Sequence, residues 1–246
     1  MPKPRGKPPF ETSELRKTLQ SFFKTPYVLG SGDQQAIGSF KWGVYIFYDY
    51  DGEPIYVGQT KEKVSGRIGR HLTNQRTDAV AMSVLDPYEV YEIEVYPLPE
   101  YEGVNSKHPD FKKAKETLDA LEFEVHRLAI ARSKYGAILN EKDPPYPTIA
   151  VTLPKPLRGR VVSIEVEKLR GHPDTRTARR AQVISRLAQT IAEREVKTGL
   201  RRTLLTQASR LQSIAQDRFN AMGGEASVEK GLEGDDAPEE DNKPDN

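Results

Sequence analysis

The fold is decided by the run Gly43-Val44-Tyr45-Ile46-Phe47-Tyr48-Asp49-Tyr50-Asp51-Gly52-Glu53-Pro54-Ile55-Tyr56-Val57-Gly58. Its first six residues are dense in β-branched and aromatic side chains, which suit a pleated, half-buried surface. Asp49-Tyr50-Asp51-Gly52 is turn chemistry. Aspartates bond back to nearby backbone N–H groups, and Gly supplies the positive φ that tight hairpins need. Ile55–Gly58 reads as a second strand, and two strands joined by so short a turn pair antiparallel.

Working outward, residues 1–10 are rich in Pro and Lys and are expected to be disordered. Thr12-Ser13-Glu14 reads as a helix start, with Leu15, Leu19, Phe22 and Phe23 on one side. Gly30-Ser31-Gly32 and Gly38 read as loop. Downstream, Val64, Ile68 and Leu72 recur every four residues and predict a helix from Lys61 to about Thr73 with one narrow apolar stripe. A third strand is expected at Tyr88–Leu98. Phe111 to about Ser133 reads as a long helix burying Leu118, Leu121, Val125 and Leu128. Prolines at 144, 145, 147, 154 and 156 then change the character of the chain. A short strand is expected at Val161–Val166, followed by one long helix or two from Thr175 to about Met222. There is no internal repeat.

The expected fold is α/β of the α+β kind: a small, mainly antiparallel sheet flanked by helices, with a long helical C-terminal extension. An N-terminal arm and short helix would occupy 1–37 and a compact domain 38–150. A Pro-rich connection and basic helical extension would fill 151–222, and an acidic, disordered tail 223–246.

The 246 residues are 36% hydrophobic and 30% charged, the composition of a soluble chain with a modest core. No stretch approaches the ~20 apolar residues that cross a bilayer. The basic run Met1–Lys7 is followed by no apolar segment, so neither a membrane span nor a secretory signal is expected, and the expected address is cytoplasmic. The absence of cysteine excludes disulfides, thiolate metal sites and cysteine nucleophiles. The net charge of +1 conceals an asymmetry. The tail Glu225–Asn246 holds nine acidic residues and two lysines, leaving a basic body. Residues 155–218 alone carry fifteen basic and six acidic side chains. Such an extension is expected to track phosphates. Alternatively its apolar stripe, including Leu187, Ile191, Leu200 and Leu204, would join two copies into a homodimer.

Chemistry points to a few residues. Tyr45 and Tyr56 lie on the paired strands, and Arg67 and His71 stand four apart on one helix face. Glu122 and Glu124 sit on the later helix. Each has a bland reading: strand tyrosines pack, basic helix faces meet solvent, and glutamates flank cores. Together they are a sufficient kit for phosphodiester hydrolysis. A base helps deprotonate water, an arginine offsets charge gathering on phosphate oxygens, and a carboxylate holds a mostly hydrated Mg²⁺.

Gly43-Val44-Tyr45, ten residues, Tyr56-Val57-Gly58, and then Arg67 and His71 resemble the GIY-YIG nucleases. That family includes homing endonucleases, a repair incision endonuclease and some type II restriction enzymes. The resemblance runs from about Lys41 to Asn140. It implies that Tyr45 lies near the attacking water, as a base within a hydrogen-bond chain, and that Tyr56 orients water or phosphate. It implies that Arg67 binds the scissile phosphate and that His71 bonds Tyr45 or assists proton transfer. Within Leu121-Glu122-Phe123-Glu124 the family pattern selects Glu124 as the ligand of Mg²⁺ or Mn²⁺, with Glu122 the competitor. Gly43 and Gly58 would permit close packing. The family's late asparagine is missing from its slot, where Gly136 stands; Asn140 is a weak substitute and is not counted in the site. The activity implied is metal-dependent endonucleolytic cleavage of double-stranded DNA, in restriction or phage defence by analogy. The alternatives are a catalytically degenerate DNA-binding module, or a repair or mobile-element nuclease.

Overall fold

A computed structural model describes residues 8–73 and 84–224. The basic segment to Lys7 and the acidic tail from Glu225, both expected to be disordered, lie outside the described residues.

The first helix, α1 (Phe10–Phe23), starts before the expected Thr12 cap and buries Leu15, Leu19 and Phe22, with Phe23 partly buried beside them. Where the glycines suggested only loop, a small hairpin forms, β1 (Pro26–Val28) with β2 (Gln34–Ala36). The deciding run gives β3 (Gly43–Tyr48) and β4 (Pro54–Thr60), paired antiparallel. Their turn is built as its residues dictate. Asp49 Oδ1 accepts from the backbone N–H of Asp51 at 2.9 Å and of Glu53 at 3.0 Å. Gly52 takes φ +72°, which a side chain would resist.

Next come α2 (Val64–Thr73), β5 (Glu92–Pro97) and α3 (Phe111–Arg132). The strand expected at Val161–Val166 lies earlier, as β6 (Leu157–Arg160). Ser163 instead caps a short helix, α4 (Ile164–Arg170), by accepting from the Val166 N–H at 3.3 Å. The C-terminal region is two helices, α5 (Pro173–Glu193) and α6 (Thr198–Ala221).

The main sheet runs in the order β4-β3-β5-β6, with every pairing antiparallel. All six β3 residues are buried, because both sheet faces are covered. One face packs Val44, Ile46 and Val57 against Leu118, Leu121 and Val125 of α3. Beneath α3, Arg132 Nη1 donates at 2.8 Å to both the Tyr48 hydroxyl and Glu94, and Tyr48 donates to Glu94 at 2.6 Å. The other face packs Tyr45, Phe47 and Ile93 against α1, against Ile68 and Leu72 of α2, and against Leu187 and Leu200.

Those last two residues bear on an expectation. The apolar stripe of α5 and α6 packs within the chain, on the sheet core, which leaves the expected homodimer through it without support. Its arginines follow. Arg176, Arg180 and Arg210 are buried. Arg180 and Arg210 reach the buried Asp49 at 2.9 and 2.7 Å, Arg180 reaches Glu89 at 3.0 Å, and Arg176 pairs with Asp51. These three guanidiniums meet acids of the chain itself, because the hairpin turn presents carboxylates where the extension lands. No helix among the described residues is long and apolar enough to cross a membrane.

Candidate active site

Successive side chains on a strand face opposite sides of the sheet. The register sets Phe47 opposite Tyr56 and Tyr45 opposite Gly58, so the tyrosines share one face. Val44 sits opposite Gln59, which faces the α3 side. Because β4 is an edge strand, groups from both faces can meet around its rim.

On the first face the Tyr45 hydroxyl lies 3.1 Å from His71 Nδ1. The His71 ring stands nearly perpendicular to Tyr56, 4.8 Å between centroids, and 5.3 Å from Phe47. Tyr45 is fully enclosed, whereas Tyr56 is half-buried. Gly58 makes this possible: a Cβ there would lie 2.6 Å from the Tyr45 hydroxyl and ring. Gly43 is required for a similar reason, since its Cβ would come 2.8 Å from the Tyr96 carbonyl oxygen. Arg67 arrives one turn before His71 on α2. Burial works against its charge, but Tyr45, Tyr56, a hydrogen bond to Tyr45, and Glu62 outweigh that and raise its pKa.

On the second face Gln59 Nε2 donates to Glu122 Oε2 at 2.8 Å and to Asp119 Oδ1 at 3.1 Å. Burial pushes the Glu122 carboxyl up to about 7, and Asp119 adds to the rise. The Gln59 bond and the Arg67 charge pull the other way, which places Glu122 within electrostatic reach of Arg67. A carboxyl so penalised for its lone charge, with the Asp119 carboxylate sharing its Gln59 partner, suits a hard divalent cation. Among the described residues no group of three or more acidic or histidine side chains could hold a metal by itself, so water and phosphate would complete the shell.

Glu124, the ligand expected from the family pattern, is not brought here. Two residues along a helix turn the side chain through about 200°. Glu124 accordingly bonds Arg127 at 2.9 and 3.1 Å on its own helix. The structure thus gathers Tyr45, Tyr56, Arg67 and His71, with Glu122 near them on the other face and Glu124 bonded to Arg127.

Residues 41–101 match the family model of the GIY-YIG catalytic domain. The chain carries a GIY-YIG catalytic domain. Neither the curated proteins nor the solved structures contain a match to the chain. The matched segment of the GIY-YIG domain holds the hairpin, Arg67 and His71, and ends before α3, so the carboxylate comes from outside it.

Sequence reasoning missed Gln59 and Asp119. The spacing of Asp119 and Glu122, three apart on one helix face, was the available signal. Asn140 proves to be a support of the GIY-YIG domain. Its side chain both accepts from the Val57 N–H at 2.9 Å and donates to the Val57 carbonyl at 2.8 Å, closing the open edge of β4 beside Tyr56.

Proposed function

We propose that this chain hydrolyses DNA phosphodiester bonds with the help of Mg²⁺ or Mn²⁺ held by Glu122. The observation that carries the reading is the meeting, at one sheet edge, of Arg67 with the Tyr45–His71 pair on one side and Glu122 on the other. Arg67 would fork onto the scissile phosphate and stabilise the charge that gathers there. His71, bonded to Tyr45, would hold that hydroxyl and accept its proton as Tyr45 helps deprotonate water. Tyr56, half open to solvent, would orient water or a phosphate oxygen. When bound, the cation supplies positive charge against the phosphate oxygens. A restriction or phage-defence setting rests on analogy with the simpler members of the family.

The test is plasmid nicking with Mg²⁺, with and without a chelator, for the wild type and for Arg67→Ala. Cleavage that needs metal, and that falls about 10²–10³-fold on losing the guanidinium while DNA binding persists, supports the reading. Cleavage at full rate in Arg67→Ala removes that residue from the mechanism. An inactive wild type leaves a DNA-binding module.

A further inference from the structure

Two clefts flank the junction of Gln59, Asp119 and Glu122, and their linings differ in kind. One, of about 410 Å³, is lined by Lys61, Arg67 and Lys115 together with Glu62 and Asp119, and suits phosphate. The other, of about 440 Å³, opens beside Tyr56 and Glu122. Its walls include Leu85, Leu139, Pro144 and Pro145, and its charged groups are Glu122, Glu141 and Asp143 against Lys142 alone. Such apolar walls, with one lysine in the lining and the nearby Arg202 already spent on Asp143, hold phosphate less well than the basic cleft does. They suit a nucleobase, whose ring packs on the apolar surface and whose exocyclic amine can donate to an acid.

The rim adds an aromatic platform. Tyr146, next after Pro145, is 84% exposed and stands edge-on to Phe123 at 5.1 Å, adjacent to Glu122 on α3. A presented aromatic ring is a general stacking surface for unpaired bases. The wall is also built in advance. Arg202 of α6 bonds both Asp143 oxygens at 2.8 Å. Asn140 is fastened to Val57, and the Glu141 carbonyl packs so closely on Gly199 that a Cβ there would lie 1.7 Å away.

We propose that the cleft beside Glu122 receives one base, unstacked from the strand being cut, while the adjoining phosphate lies in the basic cleft by Arg67. This rests on the phosphodiesterase reading and narrows its substrate. DNA in which a base next to the cut is already unpaired, at a mismatch, bulge or single-stranded junction, escapes the penalty of unstacking and is cut faster.

The experiment maps the nick made by the wild type, then compares two duplexes. One is intact; the other carries an abasic nucleotide beside the cut. Each is given to wild type and to Lys142→Trp, which fills the cleft from an exposed position. The expected result is at least a tenfold loss for Lys142→Trp on intact DNA and equal rates for both proteins on the abasic duplex. Equal rates on intact DNA, or the same loss on both duplexes, would overturn the proposal while leaving the nuclease reading intact. A wild type that nicks nothing under any metal removes the nuclease reading itself, and the proposal with it.

Discussion

Gln59 and Glu122 face each other across the gap between the edge strand β4 and helix α3, joined by a 2.8 Å hydrogen bond. The bond links the hairpin of the GIY-YIG domain to a carboxylate some sixty residues further along the chain. It also stands between the basic cleft and the apolar one. A bond to the charged form of an acid favours that form, so Gln59 offsets part of what burial does to Glu122.

Removing that bond with Gln59→Ala raises the Glu122 pKa further above about 7. If a proton and the cation compete for this carboxylate, the acid limb of the nicking rate shifts to higher pH in the variant. Rates measured from pH 5.5 to 9 at a fixed, sub-saturating Mg²⁺ concentration check this; an unmoved limb would show that Glu122 does not set it.

The two glutamates separate cleanly by substitution. Glu122→Gln is expected to bring nicking below detection. Glu124→Gln, which loses only a surface bond to Arg127, keeps close to the wild-type rate. The reverse pattern would restore Glu124 as the ligand.

Glu122 also has a signature in stability. Its folded pKa, about 7, lies above the ordinary value of 4.5, so between those values the folded state holds more protons than the unfolded state. Without metal, stability from this group is fully present below pH 4.5 and is lost as pH rises through 7. Glu122→Gln, always neutral, should therefore melt at a higher temperature than wild type at pH 8 in chelator, and the gap should close towards pH 5. A constant gap would contradict the burial argument.

Asp49 is the hub of the ion cluster that docks the C-terminal helices. Asp49→Ala leaves Arg180 and Arg210 buried without it, and loss of one partner of such a cluster costs about 3–5 kcal/mol. Arg218→Ala breaks a partly exposed pair with Asp174 and costs at most about 1 kcal/mol. Urea unfolding distinguishes the two, and equal effects would mean the cluster is not structural.

Gly199→Ala forces helix α6 away from the Glu141 carbonyl. Overpacking of this kind costs about 1–3 kcal/mol. Because the displaced segment carries Asn140, which holds β4 beside Tyr56, nicking should fall more than the lost stability explains at 25 °C. Thermal melting and nicking on the same sample test both parts.

Much of the fold could be read locally. Dense β-branched and aromatic residues located β3 and β4, and apolar residues spaced by three and four located α2 and α3, because such spacing reports which helix face is buried whatever the partner. Short-range chemistry also located the Asp49–Gly52 turn. The β1–β2 hairpin escaped because each strand has three residues, too few to show alternation. The strand near 161 was misplaced because Val161 and Val162 are buried without being in it.

The sequence by itself determined the order Tyr45, Tyr56, Arg67, His71 and the strands and helix that carry them. Those groups lie within one hairpin and its following helix, where spacing nearly dictates proximity. Only the tertiary structure decided which glutamate joins them. Glu122 and Glu124 have the same chemistry two residues apart, and the choice depends on the rotation of α3 about its axis, set by Leu118, Leu121 and Val125 against the sheet and by Arg132 on Glu94. The fate of the C-terminal arginines was decided in the same way. A charge has no assigned partner until packing brings one to it, and here packing brought Arg180 and Arg210 to Asp49.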